Sequence, residues 1–143
     1  QTNQAISSLD TENVLDGRFL LKKHKTTGLK KENRYYFSLL GQEFPSPETI
    51  TKKMCRSYTN RSLFHEEFSI AIPASAIFLS EDGIDAEIID ALDYGSEKFV
   101  KAKVGEAMLL VAVDALPREK KVRLTLDLEK ISVKEKRRNI QIL

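Results

Sequence analysis

From Phe68 onward the chain alternates apolar and polar positions in short runs. Phe68-Ser-Ile-Ala-Ile72 alternates until Pro73 stops it, and Ala76-Ile-Phe-Leu79 is a brief apolar run before a Glu81-Asp-Gly83 turn. Val100, Ala102 and Val104 alternate with Lys101 and Lys103. After Gly105, Met108 to Val113 is apolar on both faces, as an interior strand would be. Val122, Leu124, Leu126 and Leu128 then alternate with Arg123, Thr125 and Asp127, the cleanest half-buried strand signal in the chain, and Ile131 and Val133 extend it. One stretch fits two periods. Ile84, Ile88 and Leu92 share a helical face, whereas Ile84, Ala86 and Ile88 share a strand face. The Asp82-Gly83 turn before it and the Tyr94-Gly95 break after it favour the strand.

The first half is read in the same way. Val14 to Lys23 predicts a strand, Lys25 to Asn33 is loop chemistry centred on Gly28, and Tyr35 to Leu40 resumes an aromatic-rich strand before Gly41. Residues 14–40 therefore read as a long hairpin. Pro45 and Pro47 interrupt the chain after it, and 48–63 is the least legible part, with a short helix expected over Glu48–Cys55. Residues 1–12 are polar and are expected to form a flexible arm or linker. Lys134 to Arg138 reads as a solvated turn, followed by a last strand through Ile140, Ile142 and Leu143. Many short strands at roughly ten-residue spacing, with little helix, point to an all-β small barrel or sandwich of mostly antiparallel strands.

Composition narrows the class without naming a partner. The chain has 143 residues, 41% hydrophobic and 31% charged, which is the size and make-up of one globular domain or two small lobes. No run approaches the roughly 18 apolar residues of a membrane span. Gln-Thr-Asn-Gln at the start shows no signal peptide and no Met, so a processed chain or, by preference, a piece of something longer is expected. The single cysteine, Cys55, excludes an internal disulfide framework and suits a reducing compartment.

Net charge of +2 hides an uneven distribution. Between Arg18 and Arg34 there are seven Lys or Arg residues against one acid, Glu32, and between Glu81 and Lys98 seven acids against one base. The expectation is two patches of opposite sign. Lys22, Lys23, Lys30, Lys31 and Arg34, beside Tyr35, Tyr36 and Phe37, could form a single-stranded nucleic-acid groove with Tyr36 as the stacking ring. The simpler reading is a solvated hairpin whose lysines keep it soluble. Alternation turns Tyr35 and Phe37 one way and Tyr36 the other.

Catalytic motifs are absent. There is no G-x-x-x-x-G-K-[ST] phosphate loop, no G-x-G-x-x-G turn, no G-x-S-x-G elbow and no H-E-x-x-H helix. His24, His65 and one cysteine do not make a zinc spacing. A Cys55–His65 nucleophile pair is conceivable, since such partners meet in space. The plainer alternative is a small apolar cysteine and two surface histidines.

The second half resembles a known family. "IPASAIFLS" (Ile72–Ser80), "AEIIDALDYGSEKFVKAKVG" (Ala86–Gly105), "AMLLVAVDA" (Ala107–Ala115) and "KKVRLTLDLEKISV" (Lys120–Val133) follow one another in the order of the C-terminal regulatory, transport-associated OB-like (TOBE) domain of ABC-importer ATP-binding subunits. Tyr94-Gly95-Ser96-Glu97 matches the family's apolar-Gly-Ser-Glu between two strands. "ENVLDGRF" (Glu12–Phe19), with Asn13 and Gly17, is similar to the segment leading from the ATPase domain into the first OB-like strand. Pro73-Ala74-Ser75 stands where many members carry Arg-Pro-Glu. Asp10-Thr-Glu-Asn13 stands where the molybdate-binding variant has a Ser-Ala-Arg-Asn-type start, so an oxyanion pocket of that design is not expected.

The resemblance implies an OB-like regulatory domain over 13–143, divisible into half-barrel lobes 13–66 and 67–143. It implies no catalysis, cofactor or metal in the domain itself, with ATP and Mg bound by the parent ATPase. The implied partners are the ATPase domain of the same subunit, a second copy in a homodimer and, indirectly, transmembrane permease subunits, at the cytoplasmic face of the inner membrane.

Overall fold

The structure, a computed structural model, describes residues 11–25, 28, 31–57 and 67–135. The elements run β1 (Glu12–Lys25), β2 (Lys31–Leu39), β3 (Gln42–Pro45), α1 (Glu48–Ser57), β4 (Glu67–Pro73), a 3-10 turn (Ala74–Ala76), β5 (Ile77–Ser80), β6 (Ile84–Asp93), β7 (Lys98–Val104), β8 (Ala107–Val113), β9 (Lys121–Leu126), a second 3-10 turn (Leu128–Lys130) and β10 (Ser132–Glu135). The fold is all-β, as the period-two patterning predicts. The strands form two five-stranded sheets, ordered β10-β4-β1-β2-β3 and β5-β9-β6-β7-β8. Two compact units result: the chain through Val14 with Ala71–Ser132, and Leu15–Ile70 with the chain from Val133. The unit boundary falls within β1 and β4.

The Ala71–Ser132 unit contains the whole second sheet, all of whose pairings are antiparallel. Its first and last strands, β5 and β8, lie against each other, so the sheet curls into a barrel-like wall. Ile77, Val100, Ala102, Leu109, Val111 and Leu124 fill the inside and expose no surface. Register explains why five of these meet. Val100 lies opposite Val111, Ala102 opposite Leu109, and Leu124 opposite both Leu79 and Ile84. Gly83 makes the tight β5–β6 turn at φ +126, where a Cβ would stand 2.2 Å from the Leu124 carbonyl oxygen. The 84–93 stretch is a strand, with a bulge between Ile88 and Asp90 that turns Ile89 outward, 51% exposed.

The Leu15–Ile70 unit is built on the hairpin. β1 and β2 pair antiparallel from Arg18↔Ser38 to Lys25↔Lys31. Phe19 and Phe37 face each other with ring centroids 5.2 Å apart, and Tyr35 stacks on Phe19 at 5.3 Å. Phe68 and Ile70 complete the buried set. The helix occurs where it is expected and runs two residues further. The Pro47 carbonyl accepts from Thr51 N–H at 2.9 Å, Glu48 sits in the first turn and Arg56 in the last, and Lys52 pairs with Glu48 at 3.1 Å. Its inward residues Ile50, Thr51, Met54 and Cys55 recur at helical spacing.

Two expectations need correction. Met108–Val113 is not an interior strand: β8 ends its sheet and pairs along one side with β7. Leu109 and Val111 are buried on its inner face, whereas Met108 on the other is 49% exposed. The second apolar face reflects partial cover, not two flanking strands. The strand beginning at Val122 also does not continue through Leu128 to Val133. It stops at Leu126 because the Asp127 carboxylate accepts from Glu129 N–H at 3.1 Å and caps a 3-10 turn, after which the chain enters the other sheet as β10. The expected strand at 140–143 and most of the arm at 1–12 lie outside the described residues; Thr11 is buried and Glu12 opens β1.

Candidate functional site

Alternation along β1 and β2 sorts the hairpin's charges onto two faces. Phe19, Leu21, Tyr35 and Phe37 turn inward, while Arg18, Lys22, Arg34 and Tyr36 turn outward. Lys22 and Arg34 stand directly opposite each other, and the Lys22 Nζ lies 5.5 Å from the Tyr36 ring centroid. Two cations in register repel, and acids relieve the repulsion. Lys22 pairs with Glu43 of β3, and Arg34 with Glu32 at 3.3 Å. The Glu32 hydrogen bond and charge push the Arg34 guanidinium further up from its usual value, with burial pulling slightly the other way. Lys23, opposite Asn33, takes the other face of the hairpin; Lys31 occupies the register position opposite Lys25; Lys30 lies outside the described residues. The structure therefore brings Lys22, Arg34 and Tyr36 together, sets Lys23 apart, and surrounds Tyr36 with compensated charge.

The acidic stretch is compensated too. Each acid on β6 meets a base across the sheet: Asp93 opposite Lys98, Asp90 opposite Lys101, and Glu87 opposite Lys103, all on β7. On the β9 side, Asp85 lies opposite Arg123 and Glu87 opposite Lys121. Asp85 and Arg123 pair at 3.2 Å. The expectation of a single-sign acidic patch fails here, because the balancing bases lie at or beyond the end of the acidic stretch, on β7 and β9, and are adjacent in register. Two shallow surface grooves, of about 670 and 690 Å³, flank this ladder and share Asp85, Lys121 and Val122. One extends to Glu81, Arg118 and Glu119, the other to Glu87 and Lys103. Both mix the two signs, so neither concentrates a potential.

Asn13, Gly17 and Gly95 occupy demanding positions. Asn13 is buried on β1; its Nδ2 donates to the carbonyls of Leu110 at 2.8 Å and Ile72 at 3.2 Å, and its Oδ1 accepts from Leu110 N–H at 2.7 Å. At Gly17 a Cβ would crowd Ile70 Cδ1 at 2.4 Å and the Ser38 carbonyl oxygen at 3.0 Å, so any side chain there needs Ile70 to shift. Gly95 turns the chain between β6 and β7 at φ +84, with its N–H donating to Asp93 Oδ1 at 2.9 Å. Tyr94 N–H donates to the Glu97 carbonyl at 2.8 Å, and the Tyr94 ring sets its edge on Phe99 at 6.2 Å. Ser96 is exposed. Glu97 Oε2 is buried without a hydrogen-bond partner among the described residues.

The remaining candidate pair cannot be assembled. Cys55 is half-buried on α1 and interacts with the Tyr35 phenol; burial first, then the Cys55 charge and hydrogen bond, push that phenol up from its usual value. His65 and the His24 side chain lie outside the described residues. Among the described residues no His, Cys, Asp and Glu group is arranged to hold a metal ion, and no helix is long and apolar enough to cross a membrane. Sequence reading missed the Asn13 bridge and the Glu43 and Cys55 contacts. The only signal for Asn13 was a polar residue at an inward-facing parity of β1.

No protein-family model matches the chain, and no match is found among the curated proteins.

Proposed function

We propose that the chain is an OB-like regulatory domain of an ABC-importer ATP-binding subunit, acting through protein contacts and without chemistry of its own. The observation that supports this reading is the curled five-stranded sheet of the Ala71–Ser132 unit, in which Tyr94-Gly95-Ser96-Glu97, the stretch that resembles the family's apolar-Gly-Ser-Glu, lies between β6 and β7. Asn13 and Gly17 add support, because each meets a local demand that few other residues satisfy.

Without a phosphate loop the domain works mechanically. Pairing with its copy in a second subunit keeps two ATPase domains together as they open and close, replacing a bimolecular encounter by an intramolecular one at high effective concentration. ATP and Mg belong to the ATPase domains, and the permease subunits at the cytoplasmic face of the inner membrane are reached only through them. The test is the coding sequence upstream of Gln1. An in-frame ATPase domain with a Walker-type phosphate loop is expected; a different domain there overturns the reading.

A further inference from the structure

Thr11 and Asn13 are the buried polar residues among those described, two positions apart on one side of the chain. Between and after them Glu12 and Val14 are exposed, Val14 at 66%. The segment 11–14 therefore buries no large apolar side chain. Besides the pairing of β1 with β4, hydrogen bonds hold it: the Thr11 carbonyl accepts from Ala74 N–H at 3.0 Å, and the Asn13 carboxamide makes its two bonds to Leu110 and one to Ile72.

The Leu110 bonds have a particular form. Antiparallel pairing alternates residues that bond to the partner strand with residues that point away. Leu110 N–H and C=O point away from β7, toward the side of β8 that carries no neighbouring strand in the sheet order. The Asn13 carboxamide supplies one donor and one acceptor to this outward pair, as a strand residue would. A side chain here stands in for a missing strand.

We propose that residues 11–13 form a releasable strap: Asn13 closes the β8 edge, Thr11 bonds the Ala74 turn, and the strap, with the start of β1 leaving β4, opens as a unit while the barrel wall behind it stays folded. Burial of apolar surface scales with area and is lost only with the core, whereas a few hydrogen bonds exchange for water bonds at small net cost. Segments of this kind populate local openings well below global unfolding. Release uncovers the Leu110 backbone and the Ile72 carbonyl together. The inference stands whether or not the chain belongs to an importer subunit.

Native-state amide hydrogen exchange on the full chain tests it. Leu110 and Ala74 N–H are expected to share one opening equilibrium, faster by at least about tenfold than Leu109 and Val111, which bond back to β7. If Leu110 and Ala74 instead exchange with Leu109 and Val111 in one global event, or independently of each other, the strap does not exist. Asn13→Ala is expected to speed Leu110 exchange about tenfold with Leu109 unchanged. Equal slowing or equal speeding of both amides overturns the proposal. Asn13→Asp adds a chemical signature, because a carboxylate there faces two carbonyls. It should hold the strap at low pH, where the acid can donate, and release it as pH rises; pH-independent exchange at Leu110 relative to Leu109 would count against it.

Discussion

At the level of single residues, space and ionisation decide. At both Gly17 and Gly83 a Cβ would clash, but with different room to yield. The nearest atom to a Cβ at Gly17 is the far end of Ile70, which can move, whereas at Gly83 it is the Leu124 carbonyl oxygen, which cannot. Gly83→Ala should therefore cost about 3 kcal/mol, with strain at φ +126 added to the clash, and Gly17→Ala about 1–2 kcal/mol. Urea unfolding of the two variants checks the order; equal costs would contradict it. Tyr35 supplies the ionisation case. Its phenol is held above the ordinary value by burial and then by Cys55, so the neutral form is favoured in the folded chain. The associated stability is present below pH of about 10 and is lost as pH rises through the folded-state value. Tyr35→Phe should flatten the alkaline fall of the urea midpoint. Cys55→Ser should reduce the upward shift without abolishing it, since burial remains.

At the level of strands and helices, the charge ladder across β7, β6 and β9 shows what sequence could and could not convey. Glu87 has a lysine on each side in register. Glu87→Lys would set three like charges in a row and should cost about 1 kcal/mol, less at high salt. Asp85→Ala should cost under about 0.5 kcal/mol, because the Asp85 side chain is 90% exposed and its pair with Arg123 is screened. A larger loss at Asp85 than at Glu87 would contradict this account. The strands themselves were legible because period two is a local property: Val100–Val104, Phe68–Ile72 and the hairpin all fall where alternation puts them. Strand order is not local. Nothing in Met108–Val113 says that it ends a sheet, and nothing near Leu128 says that Asp127 will cap a turn and send the chain to a different sheet. The Asn13 bridge links β1 to Leu110, 97 positions away, and only the folded register brings them together.

For the molecule as a whole, two stretches that look like opposite patches become surfaces of mixed sign once paired. An open basic groove needs several uncompensated cations around an exposed ring, and here Lys22 and Arg34 are already engaged by Glu43 and Glu32 beside a half-buried Tyr36. Short single-stranded oligonucleotides should show no measurable binding at about 50 mM salt, the regime in which phosphate contacts are strongest. Tight binding that falls steeply with added salt would restore the nucleic-acid reading. The aromatic packing has one more practical outcome. The chain contains no tryptophan and four tyrosines, so its near-ultraviolet signal comes from a handful of phenols in distinct surroundings. Tyr35, stacked on Phe19 with a sulfur at its hydroxyl, reports on the Leu15–Ile70 unit; Tyr94, edge-on to Phe99, reports on the other. Absorbance and emission can thus follow the two units separately, with Tyr→Phe variants to blank either one and no label attached.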